Sequence, residues 1–330
     1  MALIDFKVLP GIDKQDTTSG AENRWVDCDN TRFRYGLPEK VGGWASLVTD
    51  TIVGVARREF AFVDLDGNRY VAIGTDKFLI IYFEGQLYDI TPLKTTLTSC
   101  TIATVNNSPI CSITKASHGL TAGDIILLDS VSLPSGTGYA NSDFEDKLFQ
   151  VTSITSTSVF TITQSTNATA TISASGSLSV KPYEQVGPAE QSYLEPGLWS
   201  LSNFGQVLVA TIANGKTFTW NAGDGARLTT RASTTTSGFS TSANPTATRI
   251  SLISPTTRHL IHLGTETVIG DTSTQDDMFI RFSDQEDIND YVPTAINSAG
   301  SQRLQDGTKI IGSLKAKESI LVWTDNALYT

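Results

Sequence analysis

The sequence predicts an all-β fold of repeated, β-propeller-like blades with a small all-β domain inserted among them. Three observations carry this prediction: the composition, four similar hairpin segments, and one inserted stretch with its own strand pattern. Of the 330 residues, 39% are hydrophobic and only 18% are charged, against about 25% in typical domains. Threonine and serine replace the missing charges, and threonine favours strands whereas serine favours turns.

Four segments of the chain resemble one another. Each has an apolar run, a short polar turn and a second run that is rich in aromatic residues. Two of the turns, Asn214 with Gly215 and Asp325 with Asn326, are of the type that closes hairpins. The pattern therefore predicts one hairpin used four times, at residues 70–85, 207–223, 259–283 and 319–330.

The spacing of these segments indicates blades. Val209 and Ile261 are 52 residues apart, and Ile261 and Leu321 are 60 apart. Ile73 and Val209 are 136 residues apart, a distance that falls to about 48 when residues 93–180 are set aside. Hairpin repeats of about 40–50 residues are typical of propeller blades. A generic β-sandwich with ordinary hairpins is the alternative.

The stretch between the first two hairpins has the pattern of a compact all-β module. It enters after Thr91 and Pro92 and leaves at Lys181 and Pro182, and insertion is tolerated where two chain ends lie close together. Its predicted strands are apolar or alternating runs at residues 125–128, 147–152, 158–163 and 168–180.

We therefore predict three regions. Residues 1–92 form a leading segment and the first blade, residues 93–180 the inserted domain, and residues 181–330 further blades. The last hairpin stops at residue 330 without a cap, and every edge of a closed propeller must be paired. Either another segment completes that blade or the chain is a fragment of a longer protein, and we favour the fragment.

Charge and cysteine content limit the possible functions. The net charge is −10 and no lysine or arginine cluster is present, which argues against tight nucleic-acid binding. Acidic residues facing a lumen would weakly repel DNA and suit a conduit, whereas simple solubility is the alternative. Carboxylates on an outer wall instead would remove the conduit argument.

The cysteines and the hydropathy predict a chain synthesised in the cytoplasm, without a signal peptide or a membrane-spanning helix. Cys28, Cys100 and Cys111 form an odd set without a CxxC motif, so we expect free thiols and synthesis in a reducing cytoplasm. Residues 1–14 lack the charged and apolar regions of a signal peptide. No apolar run approaches the ~18 residues of a membrane-spanning helix.

Several motifs resemble those of podovirus tail nozzle proteins, the tail tubular protein B family. They are FKVLPGI at residues 6–12, DCDNTRFRYGLPEKVGGW at 27–44, SDQEDINDYVP at 283–293 and QRLQDGTKIIG at 302–312. The run HGLTAGD at residues 118–124 is similar to a small β module found across phage tail proteins. These motifs cover the ends and the middle of the chain, and no catalytic residue comes with them.

The resemblance implies a structural protein of a short, non-contractile phage tail. The family forms a homohexameric ring, the nozzle, below a tail adaptor ring, continues the DNA ejection channel and closes it until infection. Implied partners are other copies of the chain, the tail adaptor, tail fibres in some members, and genomic DNA passing through without sequence-specific binding. The implied location is the virion tail, after assembly in the host cytoplasm.

Two arginines in the second motif are candidate subunit contacts. Arg32 and Arg34 alternate with Phe33 and Tyr35, so the two pairs face opposite sides of a strand. Gly36 with the next two residues predicts a turn. Either the arginines form a solvated face, or they pair with carboxylates of a neighbouring subunit, for which arginine suits bidentate contacts.

Acidic residues at 284–290 supply the matching candidates, Asp284, Glu286 and Asp287. The run lacks the glycine at position 6 and the glutamate at position 12 of a calcium loop, so we predict no metal. The turn at residues 64–68 does not complete that pattern either. We expect a loop or a short helix, with Asp284 or Asp287 as N-cap.

No sequence feature selects a catalytic centre. His118, His259 and His262 belong to no recognised catalytic motif, and the last two lie on opposite faces of one strand. His118 precedes a glycine turn, where we expect it to bond to the backbone. We predict no enzymatic activity and no cofactor.

Two other functions remain open. The five tryptophans are expected to fill cores between blades, although an exposed one could stack on sugar. A receptor- or carbohydrate-binding tail protein is therefore the alternative. A propeller glycosidase would require paired carboxylates about 5–10 Å apart, which nothing in the sequence selects.

Overall fold

A computed structural model describes residues 8–43, 45–46, 48–184, 198–234 and 244–330. The chain forms two compact units, Met1–Thr49 and Asp50–Thr330. Over the described ranges the regular structure is 24 β-strands and two single 3-10 turns, Asn141–Asp143 and Thr272–Thr274. The all-β prediction is confirmed. No described helix is long and apolar enough to cross a membrane.

The N-terminal unit contains two small sheets. A parallel pair joins β1 and β2, and an antiparallel hairpin joins β3 and β4. Ala21 is the one hydrophobic residue buried among the described residues of this unit. The strands are β1 (Leu9–Ile12), β2 (Arg24–Trp25), β3 (Thr31–Arg34) and β4 (Leu37–Lys40).

The C-terminal unit begins with a four-stranded antiparallel sheet in sequence order. Buried positions alternate along β6, at Tyr70, Ala72 and Gly74, because successive side chains point to opposite faces of a sheet. The strands are β5 (Ala56–Val63), β6 (Arg69–Thr75), β7 (Leu79–Phe83) and β8 (Gln86–Asp89).

A closed six-stranded barrel follows, with strand order β10-β13-β12-β11-β14-β9. Its interior comes from alternate residues such as Ile102, Ile113, Leu128 and Phe160, all fully buried. The strands are β9 (Leu97–Thr104), β10 (Ile110–Thr114), β11 (Ile125–Ser132), β12 (Leu148–Ser156), β13 (Val159–Thr163) and β14 (Ile172–Pro182).

Three further antiparallel sheets complete the described structure, and each is again in sequence order. The first contains β15 (Trp199–Phe204), β16 (Val207–Ile212) and β17 (Thr217–Asn221). The second contains β18 (Thr248–Ile253), β19 (Leu260–Thr265), β20 (Phe279–Phe282) and β21 (Gly300–Arg303). The third contains β22 (Ile310–Lys315), β23 (Ile320–Thr324) and β24 (Leu328–Tyr329).

Consecutive sheets share apolar cores. Tyr70 and Trp220 meet edge to face, with ring centroids 5.6 Å apart, between the first sheet and the β15–β17 sheet. A second core joins β15 and β16 to β18 and β19, and a third joins the β18–β21 sheet to β22 and β23. This succession of meandering sheets, each packed on the next, is the packing of propeller blades.

The four predicted hairpins are present as β6–β7, β16–β17, β19–β20 and β23–β24. The tryptophan prediction holds for Trp199 and Trp220, which lie in the core between the first sheet and the β15–β17 sheet. It is wrong for Trp323, which is 37% exposed, and for Trp25, which is half-buried beside Phe33. Trp44, and residues 6 and 7 of the first motif, lie outside the described residues.

Candidate functional site

The β3–β4 hairpin places the two candidate arginines differently. Arg32 lies opposite Glu39 and donates two hydrogen bonds to its carboxylate, Nε to Oε2 at 3.1 Å and Nη2 to Oε1 at 3.2 Å. This carboxylate raises the pKa of Arg32. The guanidinium of Arg34 lies 5.3 Å from the ring centre of Tyr35. Arg32 is therefore paired with Glu39, whereas Arg34 forms no ion pair with another described residue.

The turn of this hairpin lies one position earlier than predicted. Tyr35 and Gly36 both have positive φ, 51° and 81°, which is the geometry of a tight two-residue hairpin turn. Glycine adopts it without strain, so Leu37 and Pro38 are free to begin β4. As a result Tyr35 is 92% exposed and Leu37 is 70% exposed at the hairpin tip.

The acidic run at 284–290 is a loop, not a helix. Oδ1 of Asp284 accepts hydrogen bonds from the backbone N–H of Gln285 and from the N–H and hydroxyl of Ser298, at 2.7–2.8 Å. The bonds from Ser298 hold the pKa of Asp284 below its usual value. Asp287 accepts from the N–H of Asn289 at 2.9 Å.

Glu286 pairs with a residue of its own chain. Its Oε1 lies 2.6 Å from Nε of Arg258, whose guanidinium stacks 4.2 Å from the ring centre of Phe204. The three acidic candidates therefore hold this loop in place within one subunit. Their assignment as subunit contacts stays a prediction.

A clamp of three side chains joins the barrel to the sheets on either side of it. Asp89, at the end of β8, accepts a hydrogen bond from the hydroxyl of Tyr183 at 2.7 Å and one from Arg231 Nη1 at 3.0 Å. Arg231 also donates to the Tyr183 hydroxyl at 2.8 Å and to the carbonyl of Thr91 at 3.0 Å. Burial raises the pKa of Tyr183, so the clamp is held by a neutral phenol.

The two chain crossings at the base of the barrel are bonded to each other. The N–H of Lys94 donates to the carbonyl of Pro182 at 2.9 Å, and the N–H of Glu184 donates to that of Pro92 at 2.8 Å. The barrel is therefore attached through a short two-stranded stem as well as by the clamp.

An open cleft of about 380 Å³ lies beside this stem. Lys216 Nζ and Glu184 Oε1 form an ion pair of 2.8 Å on its wall. Lysine, glutamate and hydroxyl groups together could bind a polar ligand such as a sugar. The lining residues are Pro92, Leu93, Lys94, Thr95, Glu184, Lys216, Phe218, Ala232, Ser233 and Thr234.

The three histidines have structural partners. The N–H of Leu120 donates to Nδ1 of His118 at 3.0 Å, the predicted backbone contact. His259 Nδ1 lies 2.8 Å from the carbonyl of Ser283. His262 is buried and its Nε2 lies 2.8 Å from the hydroxyl of Tyr291. Because that hydroxyl donates to the carbonyl of Ile288, His262 is the donor to Tyr291.

The buried histidine lies beside a buried cation. His262 is directly opposite Arg281 on neighbouring strands, and Arg281 donates to the carbonyls of Glu266 and Thr267. Burial, with a smaller effect of Arg281, lowers the pKa of His262 to about 3. This histidine is therefore neutral near pH 7, and sequence alone gave no signal for its burial.

The three cysteines are free, as predicted, and Cys100 and Cys111 lie on the paired strands β9 and β10. Burial raises the pKa of Cys111 to about 11, which makes the thiol unreactive. Over the described ranges, one cluster of three carboxylates is close enough together to hold a metal ion: Asp129, Glu145 and Asp146. Lys181 already pairs with Asp129, and Glu145 accepts two backbone N–H groups.

Comparison with known proteins gives little further information. No protein-family model matches the sequence, and no curated protein matches it. Among solved structures, the endosialidase of phage phi92 is similar, with a TM-score of 0.27 and 13% identity. The match covers 87% of this chain and 43% of that chain, so this chain spans less than half of the endosialidase. A TM-score this low supports no inference about activity.

Proposed function

We propose that this protein is a non-enzymatic structural component of a short phage tail. Copies of the chain assemble into a ring, the nozzle, which continues and gates the DNA ejection channel below the tail adaptor. The observation that carries the proposal is the succession of blade-like sheets, interrupted by one inserted barrel, in a chain with nozzle-type motifs. The proposed location is the virion tail.

The use of polar side chains supports a structural role. The buried carboxylate of Glu266 accepts hydrogen bonds from the N–H groups of Thr246 and Gly270. Asp64 holds the turn after β5 by accepting from the N–H groups of Asp66 and Asn68. Asp325 does the same for the segment between β21 and β22 by accepting from the N–H of Thr308. These carboxylates fix backbone rather than converge on a substrate position.

The test is the mass of the purified chain in solution, measured by light scattering alone and with the tail adaptor added. We expect a six-fold mass under at least one of these conditions. A monomer or trimer under both would contradict the proposal.

The cleft beside the barrel stem favours one second function, carbohydrate or receptor binding. Its lysine, glutamate and hydroxyl lining is suited to sugar hydroxyls and carboxylates. A glycan array tests it with the wild type and Lys216→Ala. Binding that Lys216→Ala abolishes would support the second function, whereas binding to no glycan would contradict it.

A further inference from the structure

We infer that the tip of the β3–β4 hairpin docks on the C-terminal unit of a second copy of this chain, whose net charge is negative. Tyr35 and Leu37 supply the apolar contact and Arg34 supplies the charge. The inference deepens the proposed ring and rests on it. It also shifts the predicted contact from the pair Arg32 and Arg34 to residues 34–37.

The first argument is the absence of a core beneath the hairpin. Among the described residues of the N-terminal unit, Ala21 is the one buried hydrophobic side chain. Units of this size with no core need an external support, and an isolated two-stranded hairpin is marginal in water. A partner surface supplies that support.

The second argument is the exposure of the tip. Tyr35 is 92% exposed and Leu37 is 70% exposed, side by side at the end of a tight turn. Tyrosine and arginine are enriched among the residues that dominate binding energy at interfaces. Arg34 lies against the tyrosine ring, so the cation and the apolar surface are presented together.

The third argument is charge, which identifies the partner of the hairpin as a second copy of the chain. Residues 31–40 carry three cations and one carboxylate, a net charge of +2, whereas the other 320 residues carry −12. Arg32 is neutralised by Glu39, which leaves Arg34 directed outward at the tip. The chain is thus complementary to itself, basic at the hairpin and acidic elsewhere, and such contacts favour association of like copies.

The experiment measures self-association of the full chain under the condition in which the wild type assembles. We compare Tyr35→Ser/Leu37→Ser and Arg34→Glu with the matched control Leu65→Ser, a residue 81% exposed at a turn of the C-terminal unit. Both tip variants should associate at least about tenfold more weakly, with an unchanged circular-dichroism spectrum of the folded chain. Leu65→Ser should behave as the wild type.

A photo-crosslinking amino acid at position 35 gives a second readout, which does not depend on losing binding. We expect crosslinks between copies that map to residues 50–330. Tip variants that assemble like the wild type would overturn this inference and leave the proposed ring intact. A wild type that never assembles would overturn both.

Discussion

At the scale of the residue, His262 links stability to pH. Its ring is buried against Arg281 and Tyr291, and the carboxylate of Glu266 interacts electrostatically with Arg281. The folded pKa of about 3 lies below the ordinary 6.5, so the unfolded chain binds more protons between these values. Stability from this site is therefore complete above pH 6.5 and declines as the pH falls toward 3.

We expect His262→Gln to flatten this decline, because the amide can still donate to Tyr291 but does not titrate. At pH 5 the wild type should lose about 2 kcal/mol of unfolding free energy through His262, relative to pH 7.5. Urea unfolding at a series of pH values measures the difference. Equal slopes for the two proteins would contradict the assignment.

Gly74 is a second residue whose identity is fixed by packing. A Cβ atom at this position would lie 2.3 Å from Cδ1 of Trp199, whose Nε1 donates to the carbonyl of Thr75 at 2.8 Å. Gly74→Ala should therefore displace the indole and cost about 1–3 kcal/mol of unfolding free energy.

Gly312→Ala is the matched control. Gly312 lies on another strand of the same unit, β22, and a Cβ atom there would meet no atom within 4 Å. Chemical denaturation of both variants gives the comparison. Similar midpoints for Gly74→Ala and Gly312→Ala would show that Trp199 accommodates the methyl group.

At the scale of the element, the hairpins could be predicted because their signals are local. The turn at Asn214 and Gly215 and the alternation along β6 lie within a few residues of the strands they join. The sequence pattern places the turn after Arg34 one residue late, because Pro38 is a residue type common in turns. Proline is also tolerated on an edge strand, and Pro38 lies in β4.

The contacts between elements could not be predicted. Asp89 and Arg231 are 142 residues apart, and Tyr183 is 94 residues from Asp89. No periodicity connects such positions. The alternation at residues 32–35 likewise separates two faces of a strand, but it does not reveal that nothing in the described unit covers Tyr35 and Leu37.

The clamp adds side-chain hydrogen bonds to the two-stranded stem that attaches the barrel. We expect Arg231→Ala to loosen it, because this change removes bonds to Asp89, Thr91 and Tyr183 at once. Limited proteolysis should then cleave near residues 91–96 at least several times faster than in the wild type.

Arg303→Ala is the control for this experiment, since it removes an exposed pair with Asp276 far from the stem along the chain, and such pairs contribute little. Cleavage at the same rate in Arg231→Ala and in the wild type would show that the two-stranded stem alone orients the barrel.

At the scale of the whole molecule, the carboxylates have two effects: they hold turns and loops in place, and they give the chain a negative net charge. The carboxylates for which contacts are described mostly fix turns and loops within the chain, as Asp64, Asp284 and Asp325 do. Aspartate and glutamate outnumber lysine and arginine by 34 to 24, which gives the chain its net charge of −10. The hairpin contact proposed above joins opposite charges, so we expect this contact to weaken as salt is raised.

The bonded stem at the base of the barrel also bears on how the chain folds. Some 88 residues separate Lys94 from Pro182, yet their backbone atoms are 2.9 Å apart. If the barrel folds first, it brings the two ends of this long segment together. The entropic cost of closing the loop then no longer opposes the packing of β15 on the first sheet. The order of synthesis favours early folding of the barrel, because the barrel leaves the ribosome before the β15–β17 sheet is complete.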